Sequence, residues 1–184
     1  MRPTFSSEAL LGQLEADLRE GIAFIEGLTP EALDRRPSTG GWNGTEILAH
    51  LNFYASFYTQ AIAKAMTGPV RPAKPNFKAG WLGQYFVSII GPAQEGQALA
   101  RKMPAPKNSR PAAMEVPTAA EAAKQFLAHQ EELLRLVQAA GRADLGRVRV
   151  PISLTPLIRL KLGDTFRFVI AHQQRHFQQI ARGL

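Results

Sequence analysis

The chain has 184 residues, 45% of them hydrophobic, with no cysteine and a formal net charge of +7. This length suits one domain over residues 1–184 with a core that needs no staples, and the composition excludes a globally disordered chain. The lack of cysteine excludes disulfides, thiolate metal ligands and a cysteine nucleophile, and it suits a reducing cytoplasm.

The opening stretch MRPTFSSEALLGQLEADLREG turns charged too early for a signal-peptide core, and no apolar run is long enough to cross a bilayer. A soluble, cytoplasmic protein with no membrane partner is expected. The basic excess lies in residues 64–110, where Glu95 is the lone acid, and in residues 142–161, where Asp144 is. Both segments are rich in Pro or Gly and carry no zinc-finger, RNA-recognition or basic-zipper pattern, so nucleic acid is not an expected partner. They read as a solvated basic surface; the sharper alternative is a basic rim that attracts an anionic substrate.

Taken in chain order, Leu11, Leu14, Leu18, Ile22 and Ile25 recur at helical spacing and predict a helix over about 7–28. Thr29-Pro30-Glu31 restarts a short helix, with Thr as cap and Pro at the first position. After a loop from Pro37 to Gly41, Asn43 is a good N-cap, with Glu46 three residues on as the capping-box acid and Trp42 and Ile47 as a hydrophobic staple. That second long helix should reach about Met66 and stop before Gly68-Pro69.

A long connection of about 68–117 follows, rich in proline; within it WLGQYFVSII is apolar enough for a short helix. Thr118-x-x-Glu121 is a second capping box, opening a helix to about Ala140 with Phe126, Leu127, Leu133, Leu134 and Val137 inward and Gly141 at its end. RVRVPIS can be extended, although Pro151 argues against a central strand. Asp164 can cap the last helix, which carries Phe166, Val169, Ile170, Phe177 and Ile180. Four amphipathic helices with long connections predict an all-α fold, a four-helix bundle with crossovers and not a simple up-down-up-down one.

The histidines then acquire addresses. His172 and His176 lie one turn apart near the end of the last helix, so both imidazoles share a face. His50 lies two turns into the second long helix, and bundle interiors commonly hold metals between facing helices. Three imidazoles suit one divalent ion with positions left open. On spacing alone the same residues read equally well as surface or core-edge histidines.

The stretches Gly41-Trp42-Asn43-x-x-Glu46-Ile47-x-x-His50-Leu51 and Asp164-x-x-Arg167-Phe168-x-x-x-His172-x-x-Arg175-His176 together resemble the DinB-like superfamily of four-helix bundles. FKAGWLGQYF and RKMPAPK resemble the connection of one of its branches, so the likeness spans nearly the whole chain. The resemblance implies His50, His172 and His176 as ligands of a divalent metal, usually zinc or nickel. It further implies an enzyme that activates a low-molecular-weight thiol cosubstrate for transfer, or else water, on an unknown small-molecule substrate. The alternative is a non-catalytic bundle that binds metal or ligand in a stress response. A homodimer is also implied.

Hydrolysis would want a carboxylate near the metal. Glu46 is the nominee as a catalytic residue, and its competing role is the helix cap. His129 can add a base or fourth ligand, or be a half-exposed helix residue. Gln173 and Gln179 can orient ligand imidazoles. Arg175 can meet an anionic substrate or a surface partner. Trp81, Tyr85 and Phe86 can close over the pocket or simply pack.

Overall fold

A computed structural model describes residues 2–38, 40–68, 72–92 and 105–184. Arg71, Glu95, Arg101 and Lys102 of the basic connection, and the first part of RKMPAPK, lie outside the described residues.

Local signals set most of the helices. Ser6 accepts the Ala9 N–H and opens α1 (Ser7–Glu26), which Gly27 closes. Its buried stripe is Leu10, Leu14, Leu18, Gly21 and Ile25, leaving Leu11 and Ile22 half-buried. The place expected for Ile22 goes to Gly21, because the Phe177 ring stands 2.8 Å from where a Cβ there would sit. Thr29 caps α2 (Pro30–Asp34).

Asn43 and Glu46 form both halves of the capping box of α3 (Gly44–Met66). Thr118 and Glu121 do the same for α5 (Ala119–Ala140), which stops at Gly141. Phe126, Leu133 and Val137 are buried on it as expected, while Leu127 and Leu134 are half-buried.

The middle connection holds α4 (Trp81–Ile90), as its apolar run predicts, and two short 3-10 turns at Lys107–Ser109 and Pro111–Ala113. It also holds a strand that periodicity did not foretell. β1 (Thr4–Ser6) pairs antiparallel with β2 (Asn76–Lys78), tying the chain start to the connection. Three residues are too few to display an alternating pattern.

The segment RVRVPIS is extended, forming β3 (Arg149–Ile152), which pairs with β4 (Thr155–Lys161) in a hairpin. Pro151 faces Arg159 at a register shift, and in a two-stranded sheet every strand is an edge, so a residue without an N–H is tolerated there.

One expectation needs correcting. α6 (Leu162–Ala181) starts two residues before Asp164, with Lys161 at the N-cap position and no side-chain cap. β4 runs straight into the helix. The Asp164 carboxylate is instead buried in the first turn, where Oδ2 accepts the Gly80 N–H at 2.7 Å and Oδ1 accepts from Arg167 at 3.2 Å. Asp164 therefore docks α4 onto α6, and burial raises its pKa.

Among the described residues the fold is mostly helical, with two small sheets. α1 touches α5 and α6, α3 touches the same two, and α4 lies on α6. One core cluster gathers Leu14, Tyr58, Leu133 and Phe166; a second gathers Ile25, Leu48, Phe126 and Ile180. No described helix is long and apolar enough to cross a membrane.

Candidate metal centre

The α3–α6 contact brings together the three histidines that sequence singled out. His50 lies 122 residues before His172, yet their Nε2 atoms are 3.4 Å apart. The Nε2 atoms of His172 and His176 are 3.0 Å apart, as one helical turn allows. The three side chains are 2%, 9% and 7% exposed in chain order.

Each outer imidazole is fixed by its other nitrogen. His50 Nδ1 donates to the Ser109 carbonyl at 2.7 Å, and His176 Nδ1 donates to Gln179 Oε1 at 2.7 Å. These bonds select the tautomer whose Nε2 carries the lone pair. Gln179 thus orients a candidate ligand, as the sequence suggested. Gln173 is also buried on α6 but does not line the cavity beside the triad.

Burial is the main force on the imidazole pKa values. It lowers His50 against the opposing pull of the Ser109 carbonyl. It drives His172 well below the ordinary range, with His176, His50 and Arg175 adding charge repulsion. It takes His176 down to about 3, with His50 adding to the effect and the Gln179 bond opposing it. All three rings are therefore neutral near pH 7, the form that ligates a metal.

The donor set fits a divalent ion. Bonds of about 2.0–2.1 Å in tetrahedral array place nitrogens about 3.3 Å apart, and octahedral neighbours about 3.0 Å apart. The observed spacings span those two values. Three histidine nitrogens within 4.8 Å of one another can hold one metal ion.

Aromatic rings enclose the triad. The Trp42 ring lies 5.1 Å from that of His50 and stacks on His176 at 6.5 Å and 12°. Tyr54 sets its edge against His50 and His172, and its hydroxyl bonds Ser109 Oγ at 3.0 Å. Phe168 stacks on His172.

Beside the triad lies a cavity of about 670 Å³, with apolar walls that include Tyr58, Phe86, Ile89 and Phe168. From α6 and its C-cap, Phe168, His172, Arg175, His176, Gln179 and Arg182 all face it, at helical spacing.

Several predicted residues stand elsewhere. Glu46 does not line this cavity. Its Oε2 accepts the Asn43 N–H at 2.9 Å, and its Oε1 pairs with Arg36 at 3.0 Å. Arg36 also donates to the Gly41 carbonyl at 2.6 Å, so Glu46 anchors the loop that carries Trp42. Gly40 and Gly41 adopt φ of 78° and 102° there, which side-chain-bearing residues rarely do.

His129 is half-buried and lines a different groove, with Asn52 and Phe53, and it is not part of the three-histidine group. Arg175 donates to the Ile89 carbonyl at 3.1 Å and lines the cavity. Of the three suggested covering aromatics, only Phe86 reaches it. Trp81 and Tyr85 sit on the outer face of α4, 71% and 47% exposed.

Three contributors escaped the sequence reading of the site. Trp42 carried only a capping signal. Tyr54 lies four residues after His50, on the same helical face, and that spacing was the available clue. Ser109 contributes through a main-chain carbonyl, which has no residue-type signature.

No curated protein and no solved structure matches the chain. A family model does: that of the DinB superfamily matches residues 13–180, nearly the whole chain, and a buried triad of histidines on two helices fits a metal-binding member. The chain belongs to the DinB superfamily.

Proposed function

We propose that residues 1–184 form one four-helix-bundle domain with crossover connections, built on α1, α3, α5 and α6, which holds a divalent ion on His50, His172 and His176 for use in small-molecule chemistry. The observation that carries this is the convergence of three neutral, buried Nε2 atoms on the wall of an apolar cavity. Zinc and nickel both suit imidazole donors, as do other first-row ions. Such an ion supplies Lewis acidity towards a thiol or a water molecule.

The chain's own residues do the rest. Ser109 and Gln179 hold two of the rings in the donating tautomer. Trp42, Tyr54 and Phe168 pack around the three imidazoles and limit access of water from those sides.

Two reactions compete at such a site, and one observation favours the first. Hydrolysis calls for a general base, yet no Asp or Glu lines the cavity among the described residues, and both Glu46 oxygens are engaged elsewhere. A thiol cosubstrate needs no such carboxylate. With no cysteine in the chain, its sulfur has to arrive from outside. We therefore read the protein as a cytoplasmic, metal-dependent transferase that uses a low-molecular-weight thiol.

The test begins with metal content, measured by mass spectrometry on untagged protein and on a His50→Ala, His172→Ala, His176→Ala variant. About one equivalent in the parent and none in the variant is expected. Thiol-dependent consumption of an electrophile should then follow in the parent alone. Metal held without any turnover would instead favour a non-catalytic binding bundle.

A further inference from the structure

Among its described lining residues the cavity carries positive charge without a matching carboxylate. Among the described residues that line it, the charged side chains are Arg175 and Arg182, and there is no Asp or Glu. Arg175 is largely buried and already donates to the Ile89 carbonyl. Arg182 differs. It is exposed at the C-cap of α6, and its guanidinium makes no hydrogen bond or ion pair with any described residue.

Its position relative to the triad follows from the helix. Arg182 lies six residues beyond His176, about 9 Å along the axis. Side chains on a helix lean back toward its N-terminus, so the guanidinium reaches toward the cavity and not away from it. Gln179 lies between the two on the same face. Trp42 stacks on His176 at this end, and the cavity continues past the triad toward Phe86 and Phe168, of which Phe168 lies about two helical turns before His176.

We infer that this cavity takes an apolar or aromatic molecule bearing one carboxylate, or a comparable single anionic group, with Arg182 as the anchor for that group at the rim. An apolar body displaces poorly held water from the aromatic walls, and an arginine fork matches a carboxylate with paired hydrogen bonds. The molecule's other end then lies against the histidines. This names a substrate class for the site proposed above and rests on that reading of the cavity as a substrate pocket.

The test uses 4-phenylbutyrate and its uncharged amide, 4-phenylbutanamide, with the full chain in metal-free and zinc-loaded forms. Binding is followed by calorimetry and by the NMR signal of the Trp42 indole, which faces the cavity. The acid should bind about tenfold more tightly than the amide in the metal-free protein. Arg182→Gln should remove that preference and Arg182→Lys should keep part of it; both variants alter an exposed helix end and should melt like the parent.

Equal binding of acid and amide would overturn the inference, and so would a preference that survives Arg182→Gln. A preference seen only with zinc bound and indifferent to Arg182 would overturn it while leaving the metal reading intact. A preference that needs Arg182 in a protein unable to retain zinc would sustain the inference and defeat the metal reading.

Discussion

The Ser109 carbonyl accepts the Nδ1 proton of His50 at 2.7 Å, across 59 residues of sequence. That bond leaves His50 one nitrogen to offer, and Nε2 is the one aimed at His172. The same logic governs His176, where the partner is a side chain and can be replaced. Gln179→Ala should free the His176 ring to turn and lower zinc affinity by about tenfold, at the lower end of what lost orienting partners cost. Competition against a chelating dye would read this; unchanged affinity would mean the Gln179 bond has no orienting role.

Metal removal separates a functional site from a structural one. The helices pack through Leu14, Tyr58, Phe126 and Phe166 without help from the triad. Stripping the protein with a chelator should leave its helical content intact and lower Tm only modestly, whereas His172→Ala should abolish metal retention and His129→Ala should not. Circular dichroism and metal analysis on the same samples check both statements, and global unfolding on chelation would mark the ion as structural.

Acid should weaken the fold through the same histidines. Their folded-state pKa values are depressed, so below about 6.5 the unfolded chain binds protons that the folded chain refuses. The stability they confer is thus complete above that value and drains as pH falls toward the folded value, about 3 for His176. Between pH 7.5 and 5, His176 alone should account for about 2 kcal/mol. Urea unfolding of metal-free protein at the two pH values measures this, and the loss should shrink in His176→Asn.

Trp42 and Trp81 offer a spectroscopic contrast. Trp42 stacks over the triad while Trp81 is 71% exposed on the outer face of α4. Adding nickel to metal-free protein should quench a larger fraction of the emission in Trp81→Phe, where Trp42 is the remaining indole, than in the parent, and leave Trp42→Phe almost untouched. Equal quenching in both variants would contradict the proposed location of the ion.

The docking of α4 depends on one missing side chain. A Cβ at Gly83 would stand 2.6 Å from Oδ2 of Asp164, a carboxylate that the Gly80 N–H and Arg167 hold in place. Gly83→Ala should therefore cost about 1–3 kcal/mol, in the range for overpacked sites, although alanine is the better helix former. Chemical denaturation would show it; a gain in stability would mean that Asp164 moves aside freely.

The long helices were readable because their signals are local. Asn43 with Glu46 and Thr118 with Glu121 are complete capping boxes, and apolar spacing runs cleanly from Phe126 to Val137. The histidine cluster was half readable for the same reason: His172 and His176 share a face by spacing, and only the meeting with His50 required the fold. What escaped depends on neighbours distant in sequence. Asp164 carries the signature of a cap, but Gly80 claims it from across the chain. β1 and β2 are three residues each and acquire meaning only as a pair. Glu46 was legible both as the capping-box acid and as a candidate base, and its place in the first turn of α3 sends the carboxylate back to the Asn43 N–H and Arg36, away from the triad.

The cavity's walls come from two kinds of structure. Its nitrogen donors stand on α3 and α6, whereas Pro37, Gly41, Pro106 and Leu154 reach it from connections and from the hairpin turn. Lengthening or exchanging a turn at those places reshapes the wall without moving a helix axis. A lineage built this way can reshape its cavity while the histidine cluster stays unchanged, and variation among relatives should therefore concentrate in the rim, with the histidine-bearing helices held constant.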